Sequence, residues 1–132
     1  MNVTALVCTA ILGLLLFSLG LAISGLRFRT GVLSGHTAEP DRLLAKLVRA
    51  HGNTAEYAPF LGLLFLYLGS HSPTQWQVWC IIGATACRLL LAVGLLAWPT
   101  MAKPNPARFV GAVGTYAFGG ALCIGLLFNG HF

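Results

Sequence analysis

A short stretch near the middle of the chain holds most of the residues able to do chemistry. Arg49, Asn53, Glu56 and Phe60 stand at i, i+4, i+7 and i+11, with Tyr57 beside them. On an α-helix these four positions fall within about 60° of one another, and Tyr57 sits at the edge of the fan. A cation, an amide, a carboxylate and a phenol therefore share one face. Such a face suits a zwitterionic or anionic ligand with amide groups. His51 falls roughly 160–200° around the same helix and is expected to serve a different contact.

The surroundings of that face are apolar. The 132-residue chain is 57% hydrophobic and 8% charged, whereas roughly a quarter of residues are charged in soluble domains. A chain this small cannot hide so much apolar surface from water, so lipid is the expected solvent, with a single domain over residues 1–132. Val3 to Leu26 is uncharged and long enough to cross about 30 Å of hydrocarbon. It lacks the basic start of a signal peptide and exceeds the usual apolar region of one, so it is read as a retained helix. Arg27 and Arg29 are expected to stop it. The following stretch, with Gly31, Ser34, Gly35 and Pro40, reads as a loop, and Asp41 is placed to cap the next helix.

The second segment is the odd one. Its clean apolar run, Tyr57 to Gly69, is too short to span. A crossing has to recruit the preceding turns, which carry Arg49, His51, Asn53 and Glu56. The third segment, Trp76 to Trp98, contains one charge, Arg88, and tryptophans near its ends fit an interfacial belt. Pro99, Pro104 and Pro106 mark the next connection. The fourth segment, Phe109 to Phe128, is uncharged, with Gly111, Thr115 and Gly119 forming a small-residue stripe that permits close helix approach. The expected fold is an all-α membrane bundle with helices over about 3–26, 42–70, 76–98 and 108–129.

Charged groups at membrane depth cost about 2.5–3.5 kcal/mol each on insertion scales and persist mainly where they pair or work. Arg88 lies about 15 Å in from Trp98 along its helix. The second and third helices are antiparallel neighbours, so Arg88 and Glu56 can meet, and mutual neutralisation is one reading of both. Arg108, opening the fourth helix, is either a snorkelling interfacial arginine or a further member of the ligand site. Arg27, Arg29, Arg42, Lys46, Arg49, Lys103 and Arg108 all fall in or beside the first and third connections. The positive-inside rule then makes that end cytoplasmic and puts both termini outside.

Other chemistry is weakly represented. The basic residues form no run interleaved with aromatics, so nucleic acid is not an expected partner. There is no metal-binding helix motif, phosphate-cradling glycine loop or Ser-His-Asp ordering, and no metal is expected. Cys8, Cys80, Cys87 and Cys123 sit in apolar stretches and read as reduced, packed thiols. His36, His71 and His131 read as loop or terminal residues.

The run Arg49-Ala50-His51-Gly52-Asn53-Thr54-Ala55-Glu56-Tyr57-Ala58-Pro59 resembles the signature R-A-x-x-N-x-x-E-Y-x-P of the MAPEG family, the membrane-associated proteins of eicosanoid and glutathione metabolism. The four-span layout, Arg88 and the Pro106-Ala107-Arg108 start of the last helix are similar as well, most of all to short bacterial members and the microsomal glutathione transferase and leukotriene-forming synthase branches. The resemblance implies a left-handed four-helix bundle, a homotrimer, and glutathione as co-substrate bound near the cytosolic face. It implies glutathione contacts at Arg49, Asn53, Glu56 and Tyr57, with Arg27, Arg29 and His51 as further candidates, and a supporting role for Arg88. Arg108 matches the arginine that stabilises the glutathione thiolate toward a lipophilic electrophile or a lipid hydroperoxide, the chemistry of a detoxifying transferase. One departure stands out. Leu91, Ala92 and Leu95 occupy places where the eicosanoid synthases present aromatic or histidine side chains. Two other classes share parts of this pattern: a non-catalytic lipid-binding membrane protein, and a small proton-coupled exporter using Glu56. The exporter's essential carboxylate belongs in the first helix, which has none here.

Overall fold

The computed structural model describes residues 1–35, 38, 39 and 42–129. Asp41, the expected helix cap, and His36 and His131 lie outside the described residues. The chain forms four helices: α1 (Val3–Thr30), α2 (Leu43–Ser70), α3 (Gln75–Ala97) and α4 (Pro106–Asn129). Three of them, α1, α3 and α4, are long and apolar enough to cross a membrane. The fourth, α2, is as long as α1 but carries the polar face.

Helix ends follow local chemistry, and two of them correct the sequence reading. Arginines do not end α1. They are good helix formers, and positive charge near a helix C-terminus complements its dipole. The helix runs through Arg27 and Arg29 to Thr30 and stops at Gly31, whose φ of 71° is left-handed and whose N–H bonds to the Arg27 carbonyl. At the other end of the molecule's sequence, Pro106 is not loop. It is the first residue of α4, a position where its missing N–H costs nothing. Asn105 caps that helix, its Oδ1 accepting from Arg108 N at 3.1 Å.

Helices α1 and α2 pack as one antiparallel pair and α3 and α4 as another, joined through both α2 and α1 against α3; α2 and α4 scarcely meet. Asn2 N donates to the Gly69 carbonyl at 2.8 Å, tying the start of α1 to the end of α2. At the opposite end Lys46 is buried, its Nζ donating to the Trp98 carbonyl at 2.6 Å and that of Pro99 at 3.1 Å. A lysine from α2 thus caps the carbonyl end of α3. Both loop connections therefore share the basic end.

The buried apolar residues form two clusters. One joins Cys8 and Leu12 to Phe65, Ile81 and Leu122; the other joins Leu19 and Ile23 to Leu44, Leu47, Leu91 and Leu95. Between them lies a polar layer of Asn53, Thr54, Thr85 and Arg88. Both threonines of this layer return their hydroxyls to the carbonyl four residues back, at 2.8 and 2.9 Å, the usual way such a group is satisfied inside a helix bundle. Outward, Phe17 is 76% exposed and Leu127 80% exposed, as lipid-facing residues should be.

The small residues of α4 do not all face one neighbour. A Cβ on Gly111 would lie 2.7 Å from Leu91 N and 2.8 Å from the Cys87 carbonyl, and one on Gly114 would meet Cys87 Sγ. On Gly119 it would approach Leu61 of α2 instead, at 3.4 Å. Gly111 and Gly114 thus let α4 lie directly on α3. Gly114→Ala is expected to destabilise the bundle by about 1–3 kcal/mol, the cost of overpacking. Cys87→Ala in the same background should recover most of that loss. Gly111→Ala should cost more and resist rescue, because the obstacle there is backbone. Thermal unfolding in detergent measures all three.

Candidate functional site

The α2 face predicted from spacing is real. Arg49 and Asn53 line a cavity of about 470 Å³ at the basic end, closed on its other sides by Leu91 and Leu95 of α3, Lys103 and Asn105 of the last connection, and Arg108 and Tyr116 of α4. Arg49, Asn53 and Glu56 also line a second cavity of about 350 Å³ with Gly52 and Met101. Glu56, Tyr57 and Tyr116 line a third, apolar groove of about 340 Å³ between α2 and α4, floored by Thr115, Gly119 and Gly120. The three spaces share walls. Arg49 and Asn53 separate the first from the second, and Tyr116 separates the first from the groove.

Arg108 is placed by several contacts. Its backbone N–H is capped by Asn105, and its Nη1 donates to the Met101 carbonyl at 3.0 Å. Asn105 is itself buried and its Nδ2 donates to the Gly94 carbonyl at 2.7 Å. One carboxamide therefore caps α4 and pins it to α3. Gly94 completes the arrangement. A Cβ there would lie 2.9 Å from Arg108 N, so only glycine admits the first turn of α4. A guanidinium carries five donors, and among the described residues the Met101 carbonyl holds one Arg108 amino group.

Arg88 does not meet Glu56. Among the described residues no ion pair joins them. Its Nη2 donates to the Asn53 carbonyl at 2.9 Å and to Asn53 Oδ1 at 2.7 Å, and its guanidinium lies 5.0 Å from the centre of the Tyr57 ring. The reach explains the choice: Glu56 lies on the exposed side of α2, whereas Asn53 turns toward α3. Tyr57 in turn meets Tyr116, with ring centres 5.7 Å apart and hydroxyls at 3.4 Å.

Not every candidate joins. Arg27 and Arg29 lie in the last turn of α1, and neither lines these cavities; Arg27 Nη2 donates to the Gly35 carbonyl at 2.9 Å. His51 turns toward α1, where its Nε2 would lie 3.3 Å from a Cβ on Gly20. Arg42 is answered locally by Glu39 at 2.6 Å, a bond that holds the Glu39 carboxyl below its ordinary range. Sequence reasoning missed Lys46, Gly94, Asn105 and Tyr116 as functional positions. Asn105 had a readable signal, an asparagine directly before a helix-opening proline. The other three had none, since their partners are distant in the chain. Leu91 and Leu95 do face the cavity, so the departure noted there is a change in its wall; Ala92 is buried elsewhere in the packing.

The fold defines a four-helix membrane protein with a polar cavity at its basic end. The sequence profile of the MAPEG family matches residues 5–128, and the chain belongs to that family. No curated protein and no solved structure matches it significantly. It is an integral membrane protein of a family that includes glutathione transferases and also non-catalytic members.

The Asn105 bridge is testable without any ligand. Asn105→Ala should cost about 1–2 kcal/mol, as loss of a helix cap does. Asn105→Asp keeps the cap but cannot donate to Gly94, so its melting temperature should fall between parent and alanine variant.

Proposed function

We propose that this protein is a membrane glutathione transferase that joins glutathione to lipophilic electrophiles at the cavity between α2, α3 and α4. The observation that carries this reading is the convergence of Arg49, Asn53 and Arg108, from two helices, on one cavity. Glutathione offers two carboxylates, two amide groups, one ammonium and one thiol. Arg49, Asn53 and Lys103 supply donors for the carboxylates and carbonyls, and Glu56, at the edge of the adjoining space, supplies an acceptor for the ammonium.

A free thiol has a pKa of about 8.5, so little is ionised at neutral pH. A guanidinium close to the sulfur favours the thiolate. Arg108 stays protonated and is no base. Its part is electrostatic, and the thiol proton leaves to water. The thiolate then attacks the electrophilic carbon, a carbon–sulfur bond forms, and the leaving group departs with its electron pair. The same thiolate would attack the terminal oxygen of a lipid hydroperoxide, breaking the O–O bond; the lipid leaves as its alkoxide and takes a proton from water to become the alcohol, and a second glutathione converts the glutathione sulfenic acid to the disulfide with loss of water. The α2–α4 groove, meeting the cavity at Tyr116, gives a lipophilic substrate a route from the bilayer.

Two further features belong to this reading. The basic end faces the cytoplasm, by the positive-inside rule, which gives the cavity access to cytosolic glutathione. The assembly is a homotrimer. Exposed Arg49 and Glu56 are costly beside lipid, and a neighbouring copy covering them, with its own Arg27 and Arg29 near the site, answers that cost.

Conjugation of a chlorinated dinitrobenzene in detergent micelles is the direct test. Arg108→Ala is expected to lower kcat/KM about 100-fold, in the range found when a transition-state donor is removed. The pH at which its rate levels off should also rise toward the free-thiol value of about 8.5. Equal rates in parent and variant, or no rate above background in either, would sink the assignment.

A further inference from the structure

A separate cavity of about 250 Å³ lies at the end of the bundle away from Lys46 and Arg49, where α2 turns into α3. Tyr67, His71, Ser72, Thr74 and Gln77 line it, with Leu126 of α4 as apolar wall. It shares no residue with the three spaces around Arg49, Asn53 and Tyr116.

One polar group here is left over. Gln77 is 3% exposed. Its Oε1 accepts from Thr74 N at 2.8 Å, half of the capping box that starts α3. A backbone N–H only donates, so the amide atom it meets is oxygen and Nε2 is the donor. No hydrogen bond answers Nε2 among the described residues. Nor is Nε2 sealed in the packing. The side-chain atoms both enclosed and unanswered among the described residues are Arg27 Nε and Arg88 Nε, so the small accessible part of Gln77 includes its Nε2. The amide reaches toward α4, with Nε2 3.7 Å from where a Cβ on Gly125 would stand, next to Leu126 of the cavity wall. An unanswered amide donor costs free energy, which a ligand acceptor would recover.

The lining decides what chemistry can answer that donor. Among the described residues no Lys, Arg, Asp or Glu lines this cavity, so a charged group would lose hydration with no counter-charge in return. The hydroxyls of Tyr67, Ser72 and Thr74 both accept and donate. The His71 ring stacks on Tyr67, with centres 4.4 Å apart, and its Nδ1 is held by the Tyr67 carbonyl at 2.8 Å. An uncharged polyol offers oxygens to Gln77, hydroxyls to the hydroxyls, and C–H faces to the rings. Depth agrees with this. Trp76 and Trp79, 44% and 63% exposed, follow on α3 as residues at a membrane interface do, the level of lipid headgroups. The volume is below the roughly 300–1,000 Å³ of pockets that enclose drug-sized ligands, which suits a headgroup and not a whole lipid.

We propose that this cavity binds an uncharged polyol, a group of glycerol or hexose size carried on a lipid or free, with Gln77 Nε2 donating to one of its oxygens. The site stands at the opposite end of the bundle from Arg108 and does not depend on the transferase reading.

The test uses the full chain in phosphocholine micelles, labelled with 15N-glutamine. Gln75 and Gln77 are the only glutamines, and Gln75 is exposed, so one reports the site and the other the surroundings. Glucosyl diacylglycerol should shift the Gln77 side-chain NH2 signal and leave that of Gln75 in place. Methyl glucoside separates the sources. A shift at comparable concentration means that the polyol alone suffices; a shift needing at least about tenfold more means that a lipid headgroup is taken, its chains adding to affinity. Phosphatidylglycerol, a glycerol beside a charge, should act at least about tenfold more weakly. Gln77→Met keeps the volume and removes the donor. The rise in melting temperature given by the glucosyl lipid should then need about two- to tenfold more lipid, the worth of a neutral hydrogen bond. If that variant fails to fold, the labelled parent still decides. A Gln77 signal indifferent to both glucosides, or moved equally by the anionic lipid, would overturn the proposal.

Discussion

Burying a guanidinium is the constraint on which the rest of this molecule depends. Arg88 sits between two apolar clusters with almost no solvent contact, and a charge there is tolerable only if its donors are answered. Asn53 answers one amino group, Nη2, with a backbone and a side-chain oxygen, and the Tyr57 ring adds its face, while among the described residues the buried Nε has no hydrogen-bond partner. Breaking such an arrangement from either side leaves the other group uncompensated. That ties α2 to α3 at one register and divides the core in two. The same contacts place the polar face of α2 against the cavity, so shared residues answer the stability problem and shape the cavity wall. Pro59, inside α2, removes the N–H that would reach the Ala55 carbonyl and loosens the ladder just past this layer.

The second requirement is close approach of α4 to α3. Gly94 and Gly111 stand where a single methyl group would collide with the neighbouring backbone. Their absence of side chains brings the first turn of α4 down onto α3, and Asn105 locks it there. Arg108 is thereby positioned by packing rather than by any ion pair of its own. In a membrane, where lipid competes equally for apolar side chains, such close backbone contact is a principal source of helix association.

The basic end is not a uniform field of charge. Arg42 is paired with Glu39 and Lys46 is consumed in capping α3, both away from the cavity. Arg27 is engaged with the Gly35 carbonyl. Arg49, Lys103 and Arg108, by contrast, line one cavity together with Asn53. The apolar groove adjoining at Tyr116 would supply, in the transferase reading proposed above, the contrasting solvent that a polar thiol and a lipophilic partner require.

Much of this was written in residue type and spacing. Long uncharged runs dictated the membrane helices, because backbone polar groups in hydrocarbon must be satisfied within the segment. The i, i+4, i+7 placement of Arg49, Asn53 and Glu56 settled that they share a face, since helical periodicity is local. Spacing could not choose partners. Whether Arg88 would meet Glu56 or Asn53 depended on the rotation of α2 against α3, which is set by packing of distant residues. It was equally tertiary structure that turned His51 toward α1, spent Lys46 on a carbonyl of α3, and split the small residues of α4 between two neighbours. Helix ends were intermediate: Gly31 and Asn105 act locally and were legible in principle, while the charges of Arg27 and Arg29 drew the eye to the wrong stop. Periodicity determines which residues travel together on a helix; only the meeting of helices decides what they face.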